Sequence, residues 1–337
     1  MAAAPREIAG SDLGTPQQFL SDIAEPCQPV ILRGLVKHWP VVQAGVQSPQ
    51  SLQQYLLQFD AGLKAEAFFG APDIAGKYYY TADLKGFNFE RKLMTFADAL
   101  QTIVSTVDKP GLPSVYIGSL PVNDYLPGFS AQNLMPLLQP SITPRIWLGH
   151  RSNVSSHYDA FENIACVIAG KRRFTLFPPE AISCLYVGPI DNTMAGQPVS
   201  LAASSPSDPD KFPLFEKVKD HALIAELEPG DALYLPKLWW HKVESTAPFN
   251  GLINYWWDAF SYGPDAPYTS LLLSMITIAE RPLPERQAWK AFFDHYVFRS
   301  QGHPLRHLPE EQHGLLGPLK QTYGKIRARV MHMLRGG

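Results

Sequence analysis

Two histidines and one aspartate are the residues of this sequence whose types and spacing could do chemistry. His157 and Asp159 stand two apart in the segment SSHYDAFEN, and His241 follows far downstream in PKLWWHKVES. Two imidazoles and one carboxylate can bind one face of a metal ion and leave the opposite face open, which is the facial triad of non-haem Fe(II) oxygenases. If the fold brings the three side chains together, they form the catalytic metal site of an enzyme that activates O2.

The elements that carry these residues must point them at one place. Side chains two apart in a strand point to the same side of a sheet. His157 and Asp159 are therefore expected to face one interior from a single strand, which continues on that side with Phe161, Asn163, Ala165 and Val167. His241 is expected to come from a different strand that faces the first, after the turn in EPGDALYLP.

Each of the three residues also has a more ordinary interpretation. A His-x-Asp pair is more often a surface or hydrogen-bonded pair than a metal site, and a histidine after two tryptophans is more often a core residue. The order of the segments favours the metal site, because His241 follows a Pro-Gly-Asp turn and an apolar strand downstream of the His-x-Asp pair. Neutral imidazole and ionised carboxylate suit Fe(II), and no thiolate lies nearby in the sequence.

The surrounding pattern predicts a mainly β fold with helical additions. Residues 1–110 have mixed α/β character, with helix starts at Thr15, Ser48 and Thr95. From about 113 to 260, short strands are separated by turn residues, which is typical of a barrel or a sandwich. These strands are SVYIGSL, RIWLGHRSNVSSHYDAFENIACVIAG, KRRFTLFPP, HALIAELEPGDALYLP, WWHKVES and GLINYWWDAF.

Composition gives no argument for nucleic acid or membrane as a partner. The 337 residues are 45% hydrophobic with a net charge of −2, so no strong field attracts an anionic polymer. No apolar run approaches the length of a membrane span, and the first residues lack the apolar core of a signal peptide. Because the three cysteines, Cys27, Cys166 and Cys184, form no disulfide framework, we expect a cytoplasmic protein.

Residues 264–337 are predicted to be helical. The segment ERQAWKAFFDHYVF places five large apolar side chains at helical spacing: Trp289, Phe292, Phe293, Tyr296 and Val297. This face packs either on the barrel, which is the default, or on a second copy of the chain. The basic stretch LKQTYGKIRARVMHMLRGG is interpreted as a solvated helix face, with a weak contact to an anionic partner as the alternative.

Two segments resemble the Jumonji C and cupin-like family of 2-oxoglutarate oxygenases. They are PRIWLGHRSNVSSHYDAFENIACVIAGKRRFTLFPPE and LEPGDALYLPKLWWHKVES, and within the family they are most similar to the factor-inhibiting-HIF-type asparaginyl hydroxylases. The resemblance implies a double-stranded β-helix (jelly-roll) barrel with N-terminal α/β elements. It further implies an oxygenase domain over residues 1–262, with its barrel core at about 113–260, and C-terminal helices over 263–337 that form a homodimer in such hydroxylases.

The resemblance also implies the cofactors. Fe(II) would be held by His157, Asp159 and His241, with 2-oxoglutarate and O2 as cosubstrates. The far carboxylate of 2-oxoglutarate needs a basic anchor, which is commonly a lysine in the family, and an alignment without gaps places Arg172 at that position. An arginine can bind a carboxylate through two hydrogen bonds. The alternative is that Arg172 is one of three surface cations in KRR.

Further contacts to the cosubstrate are implied from four polar residues and a tryptophan beside them, Asn163, Asn254, Tyr116, Ser155 and Trp256. Apolar walls are expected from four aromatic residues, Tyr158, Trp239, Trp240 and Trp256. The alternative for these rings is core packing, which is preferred for Trp239.

The predicted function is hydroxylation of a protein side chain or a small molecule by an Fe(II)/2-oxoglutarate dioxygenase. Two alternatives remain open: a non-catalytic module that binds a metal or ligand, and a cupin metalloenzyme that uses Mn, Ni or Zn without 2-oxoglutarate. The second is less favoured, because such cupins usually show His-x-His and a glutamate. The sequence does not identify the substrate, and the loop at 200–213 is read as an ordinary insertion, with a lid as the alternative.

Overall fold

In the computed structural model, which describes residues 3–81, 85–190, 197–204, 208–261 and 263–336, a 12-stranded sheet forms the framework of the first of two compact units. The units are Met1–Ala259 and Phe260–Gly337. The strands are β1 Arg6–Ala9, β2 Val30–Arg33, β3 Lys64–Gly70, β4 Lys77–Tyr78, β5 Phe89–Thr95, β6 Ser114–Pro121, β7 Pro144–His157, β8 Glu162–Ala169, β9 Arg172–Phe177, β10 Leu223–Leu227, β11 Ala232–Leu235 and β12 Trp240–Trp257.

The α-helices lie before, between and after these strands. They are α1 Pro16–Phe19, α2 Pro40–Gln47, α3 Pro49–Leu57, α4 Phe96–Thr106, α5 Val122–Tyr125, α6 Phe129–Gln132, α7 Leu201–Ser204, α8 Pro267–Ile278, α9 Leu283–Phe293 and α10 Leu319–Leu334. The predicted helix starts are found, because the hydroxyls of Thr15, Ser48 and Thr95 accept backbone N–H groups at the first turns of α1, α3 and α4. Part of the loop at 200–213, residues 205–207, lies outside the described residues.

The long strand β12 connects two regions of the sheet. Its first part, from Trp240 to Ser245, pairs with β9, and its second part, from Gly251 to Trp257, pairs with β8, while β7 runs beside both parts. The pairing with β7 shifts register between Ser245 and Phe249, where Pro248 has no backbone N–H to donate. The predicted mainly β, jelly-roll type fold with helical additions is confirmed.

Strand β8 is buried along its whole length because both of its faces are covered. Ile164, Cys166 and Ile168 pack into the larger core with the N-terminal elements, whereas Ala165 and Val167 face the second hydrophobic cluster with β9, β10 and β11. This explains the continuous apolar run ENIACVIA, which has no alternating polar face.

The structure differs from the prediction in where several strands begin and end. HALIAELEPGDALYLP, predicted as one strand, is divided into β10 and β11, whereas WWHKVES and GLINYWWDAF, predicted as two strands, both belong to β12. The segment from 145 to 170 was predicted as a single strand, but β7 ends at His157 and β8 begins at Glu162. A turn of four residues therefore carries Asp159, and the two-residue alternation expected from His157 onward is interrupted there.

The second unit contains α8, α9 and α10. No residue of α8 or α9 is buried, and among the predicted apolar residues Trp289, Phe292, Tyr296 and Val297 are exposed. Asp265 accepts hydrogen bonds from the Tyr323 hydroxyl and from Arg327 Nε, which ties the start of the unit to α10. In the described part of the chain, we find no helix with the length and apolar character that crossing a membrane requires.

Candidate metal centre

His157 and His241 lie opposite each other on neighbouring strands. His157 ends β7, His241 is the second residue of β12, and the two are direct partners in the antiparallel pairing. Because directly opposed side chains of such a pair are close neighbours, the two ring centroids are only 4.2 Å apart. The expectation that His241 comes from a facing strand is wrong, since its strand is hydrogen-bonded to that of His157.

Asp159 reaches the two histidines from the turn between β7 and β8 rather than from a strand. Its backbone oxygen accepts a hydrogen bond of 2.8 Å from the Leu238 amide, just before β12, and its Oδ2 lies 3.7 Å from His241 Nε2. Phe161, which was expected on the same interior side, is instead 49% exposed, because the strand has ended.

The three side chains offer one ligand atom each within 4.8 Å of one another. Among the described residues, this is the one group of three or more His, Cys, Asp or Glu side chains with such geometry. The structure thus brings together the residues expected to hold the metal, although His241 and Asp159 come from elements other than those expected.

Backbone hydrogen bonds fix which ring nitrogen of each histidine is free. Nδ1 of His157 donates to the Ser155 carbonyl at 2.8 Å, and Nδ1 of His241 donates to the Trp239 carbonyl at 3.0 Å. Since a carbonyl oxygen can only accept, both Nδ1 atoms carry a hydrogen, and Nε2 is the nitrogen that has the lone pair in the neutral ring. Burial, reinforced by the neighbouring His157 ring, lowers the pKa of His241 to about 4, so this imidazole is neutral at pH 7.

A cavity of about 410 Å³ opens beside the three residues. All six residues expected to contact the cosubstrate line it, namely Tyr116, Ser155, Asn163, Arg172, Asn254 and Trp256. The cavity is large enough for a small dicarboxylate, and pockets of several hundred Å³ are typical of ligand sites.

Arg172 points into this cavity from the start of β9. Its exposed fraction is 3%, and Phe174 and Leu176 are buried on the same face of the strand. The flanking Lys171 and Arg173 are exposed and pair with Glu228 and Glu226 on the outside. The surface interpretation of Arg172 is therefore wrong for its position. Burial lowers the pKa of the Arg172 guanidinium, as expected for a cation away from water.

Two buried polar atoms at the cavity lack a hydrogen-bond partner among the described residues. They are Arg172 Nε and Ser155 Oγ. A buried donor without a hydrogen-bond partner destabilises the folded protein. Such an atom therefore usually bonds to a ligand or a water molecule. A donor pair of this type fits a carboxylate of 2-oxoglutarate.

The amides Asn163 and Asn254 bond to each other, with Asn254 Nδ2 donating to Asn163 Oδ1 at 3.1 Å. Trp147 Nε1 donates to Asn254 Oδ1 at 2.6 Å. Trp147 also lines the cavity, but the sequence analysis did not identify it. Simple alternation along β7 could not have found it, because the pairing of β7 with β12 shifts register between His157 and Val154.

The aromatic residues expected as walls have different positions. Of the four, only Trp256 lines the cavity. Tyr158 and Trp240 pack against each other in a separate buried cluster, with ring centroids 4.9 Å apart. Trp239 lies in the core and donates its indole N–H to the Cys27 carbonyl, so the core interpretation preferred for it agrees with its position.

A comparison with protein-family models matches residues 16–262 to the cupin-like domain. Among curated proteins, the chain is 27% identical over 75% of its length to Jumonji C domain-containing protein 5 of Drosophila melanogaster, and 25% identical over 72% to lysine-specific demethylase 8 of Danio rerio. It is also 32% identical over 43% of its length to human HSPB1-associated protein 1. The matches span 60%, 56% and 30% of these relatives, respectively.

Proposed function

Because this chain belongs to the cupin-like family that includes the Jumonji C proteins, we propose that it is an Fe(II)- and 2-oxoglutarate-dependent dioxygenase. The Jumonji C relatives and the group of His157, Asp159 and His241 support an activity of this oxygenase type. The finer proposal is hydroxylation of a protein side chain or a small molecule. Closeness to the asparaginyl hydroxylases stays a prediction.

One observation carries the proposal: the three metal-ligand side chains and the unpartnered buried donors open onto the same cavity. A metal site alone would equally suit a cupin enzyme that uses no cosubstrate. The added donors, Arg172 Nε and Ser155 Oγ, fit the far carboxylate of a cosubstrate in the same cavity. When bound, Fe(II), 2-oxoglutarate and O2 supply the oxidant for a substrate C–H bond, with succinate and CO2 as coproducts.

The residues of the chain would position the metal and the cosubstrate. His157 and His241 present Nε2 because their Nδ1 hydrogens are held by backbone carbonyls. Arg172 would provide a positive charge for the far carboxylate of the cosubstrate, and Asn254 and Asn163 form a hydrogen-bonded polar pair in the same cavity. Apolar rings along the cavity, such as Trp147 and Trp256, limit the access of water to the reacting atoms.

Succinate formation tests the proposal. Protein reconstituted with Fe(II) without air would receive 2-oxoglutarate and O2, with and without candidate substrates, and succinate would be measured by mass spectrometry. We expect slow succinate release without a substrate, and a loss of at least 100-fold in His157→Ala and Asp159→Ala because each removes a metal ligand.

His221→Ala is the matched control, because His221 is exposed and lies outside the cavity. It should release succinate at the wild-type rate. Tight binding of metal and 2-oxoglutarate without succinate from any substrate would favour the binding module instead. Activity with Mn, Ni or Zn that is independent of 2-oxoglutarate would favour the cupin metalloenzyme.

A further inference from the structure

The backbone does not fix the carboxylate of Asp159 as it fixes the two imidazoles. His157 and His241 lie in paired strands, whereas Asp159 lies in a turn that is held at the Leu238 amide through its backbone oxygen alone. An aspartate in a turn can rotate its side chain between staggered positions. Something outside the turn must therefore hold the carboxylate towards the metal position.

The indole of Trp256 provides that contact. Its Nε1–H donates to Asp159 Oδ2 at 3.1 Å. Among the described residues, it is the one hydrogen-bond donor to this carboxylate; the other polar neighbour, His241 Nε2, is 3.7 Å away and carries no hydrogen. A hydrogen bond to an ionised oxygen is of the stronger kind.

Trp256 is itself held on several sides. Its backbone is opposite Asn163 in the pairing of β12 with β8. The guanidinium of Arg145 lies over its ring at 5.7 Å, and the edge of Trp147 meets it with centroids 5.9 Å apart. Arg145 in turn donates to the carbonyl and the hydroxyl of Ser119. The indole is thus a fixed donor whose own orientation does not depend on Asp159.

We propose that Trp256 is a positioning residue that orients Asp159 for the metal ion, instead of a contact to the cosubstrate. This inference rests on the proposed function, since it requires a metal at the three residues. The two tryptophans that line the cavity then donate to different groups. The N–H of Trp256 serves the metal carboxylate, while the N–H of Trp147 serves the amide pair through Asn254.

The test is a titration of the metal-free full chain with Co(II), in the absence of O2 and 2-oxoglutarate. Trp256→Phe keeps an aromatic ring and removes the N–H. We expect its Co(II) dissociation constant to rise 10- to 100-fold, with a changed visible absorption spectrum, because loss of a hydrogen bond to a metal ligand has effects of this size. Trp147→Phe removes an equivalent N–H from the neighbouring ring and is expected to change the constant by less than about threefold.

A double-mutant cycle separates positioning from a general loss of structure. In an Asp159→Ala background, Trp256→Phe should have no further effect on Co(II) affinity, because the carboxylate it orients is gone. An equal loss in both backgrounds, or wild-type affinity and spectrum in Trp256→Phe, would overturn the inference. Co(II) binding by wild-type protein that is insensitive to His157→Ala would overturn the proposed function as well, so the two failures are distinguishable.

Discussion

At the scale of single residues, Arg172 is the departure from the family pattern with the clearest consequence. A guanidinium is bulkier than an ammonium group, and its planar donors can bind both oxygens of a carboxylate. Nε of this buried side chain has no hydrogen-bond partner among the described residues. Its N–H can therefore donate to a ligand in the cavity. Phe174 beside it keeps the wall apolar.

We predict that Arg172→Ala weakens the binding of 2-oxoglutarate to the Mn(II)-loaded protein by at least 30-fold. A hydrogen-bonded charge pair of this type contributes roughly 2–3 kcal/mol, which corresponds to such a factor. Arg172→Lys should retain part of the affinity, since it keeps the charge and loses the planar pair of donors. Isothermal titration calorimetry measures the three constants.

Lys171→Ala and Arg173→Ala are the controls, because their charges pair with acids on the outer surface. Both should bind 2-oxoglutarate as the wild type does. If one of these controls weakened binding and Arg172→Ala did not, the cosubstrate would be anchored elsewhere.

At the scale of elements, His150 connects three of them and was not singled out in the sequence. It lies on β7, its Nε2–H donates to the Ile103 carbonyl of α4 at 2.9 Å, and its Nδ1 accepts the Val115 amide of β6 at 3.0 Å. Both bonds need the neutral ring with the hydrogen on Nε2. Burial lowers the pKa of His150, against the opposing effect of its bond to Ile103 and of Asp108.

The lowered pKa of His150 predicts that the folded protein becomes less stable in mild acid. Because the pKa of folded His150 is below its unfolded value of about 6.5, the unfolded chain binds the proton first as the pH falls. The contribution of His150 is present above pH 6.5 and is lost below it. We expect the free energy of unfolding of wild-type protein to fall more between pH 7.5 and 5.5 than that of His150→Gln.

Urea unfolding at the two pH values measures this difference. At pH 7.5, His150→Gln should itself be less stable by about 1–3 kcal/mol, since the flexible amide does not hold the Ile103 carbonyl and the Val115 amide from two fixed ring nitrogens. Because the two proteins differ only at position 150, the comparison isolates the contribution of His150. Parallel pH profiles for the two proteins would show that His150 does not titrate as proposed.

The elements also show what the sequence could and could not predict. The strands of the barrel were predictable because apolar runs and turn residues are local signals, and the order of the His157 and His241 segments pointed to the metal site. The end of β7 was not predictable, because pairing with distant β12 decides where a strand stops. For the same reason, no local pattern distinguishes a neighbouring strand from a facing one. The hydrogen bond from Trp256 to Asp159 joins residues far apart in the chain, so local signals could not predict it either.

At the scale of the whole molecule, the second unit has an apolar surface that the sequence only partly indicated. Helix α8 has no charged residue and no buried residue, and Ile276 on it is 82% exposed. On and after α9, Phe292 and Phe298 are 59% and 67% exposed. Large exposed apolar surfaces usually mark interaction sites, and a second copy of the chain stays our prediction for the partner of these helices. The cytoplasmic location also stays a prediction.

We predict that the protein sediments as a homodimer at micromolar concentration, and that Ile276→Glu combined with Phe292→Glu raises the dimer dissociation constant more than tenfold. Each change would place an unpaired carboxylate in an apolar interface, which costs more than the roughly 1.4 kcal/mol that a factor of ten requires. Val46→Glu is the control, because Val46 is an apolar residue of α2 with 63% exposure and lies in the first unit. Sedimentation velocity over a range of concentrations measures the constants. Wild-type protein that sediments as a monomer throughout would contradict the predicted dimer. A dimer that both sets of changes affect equally would place the interface away from α8 and α9.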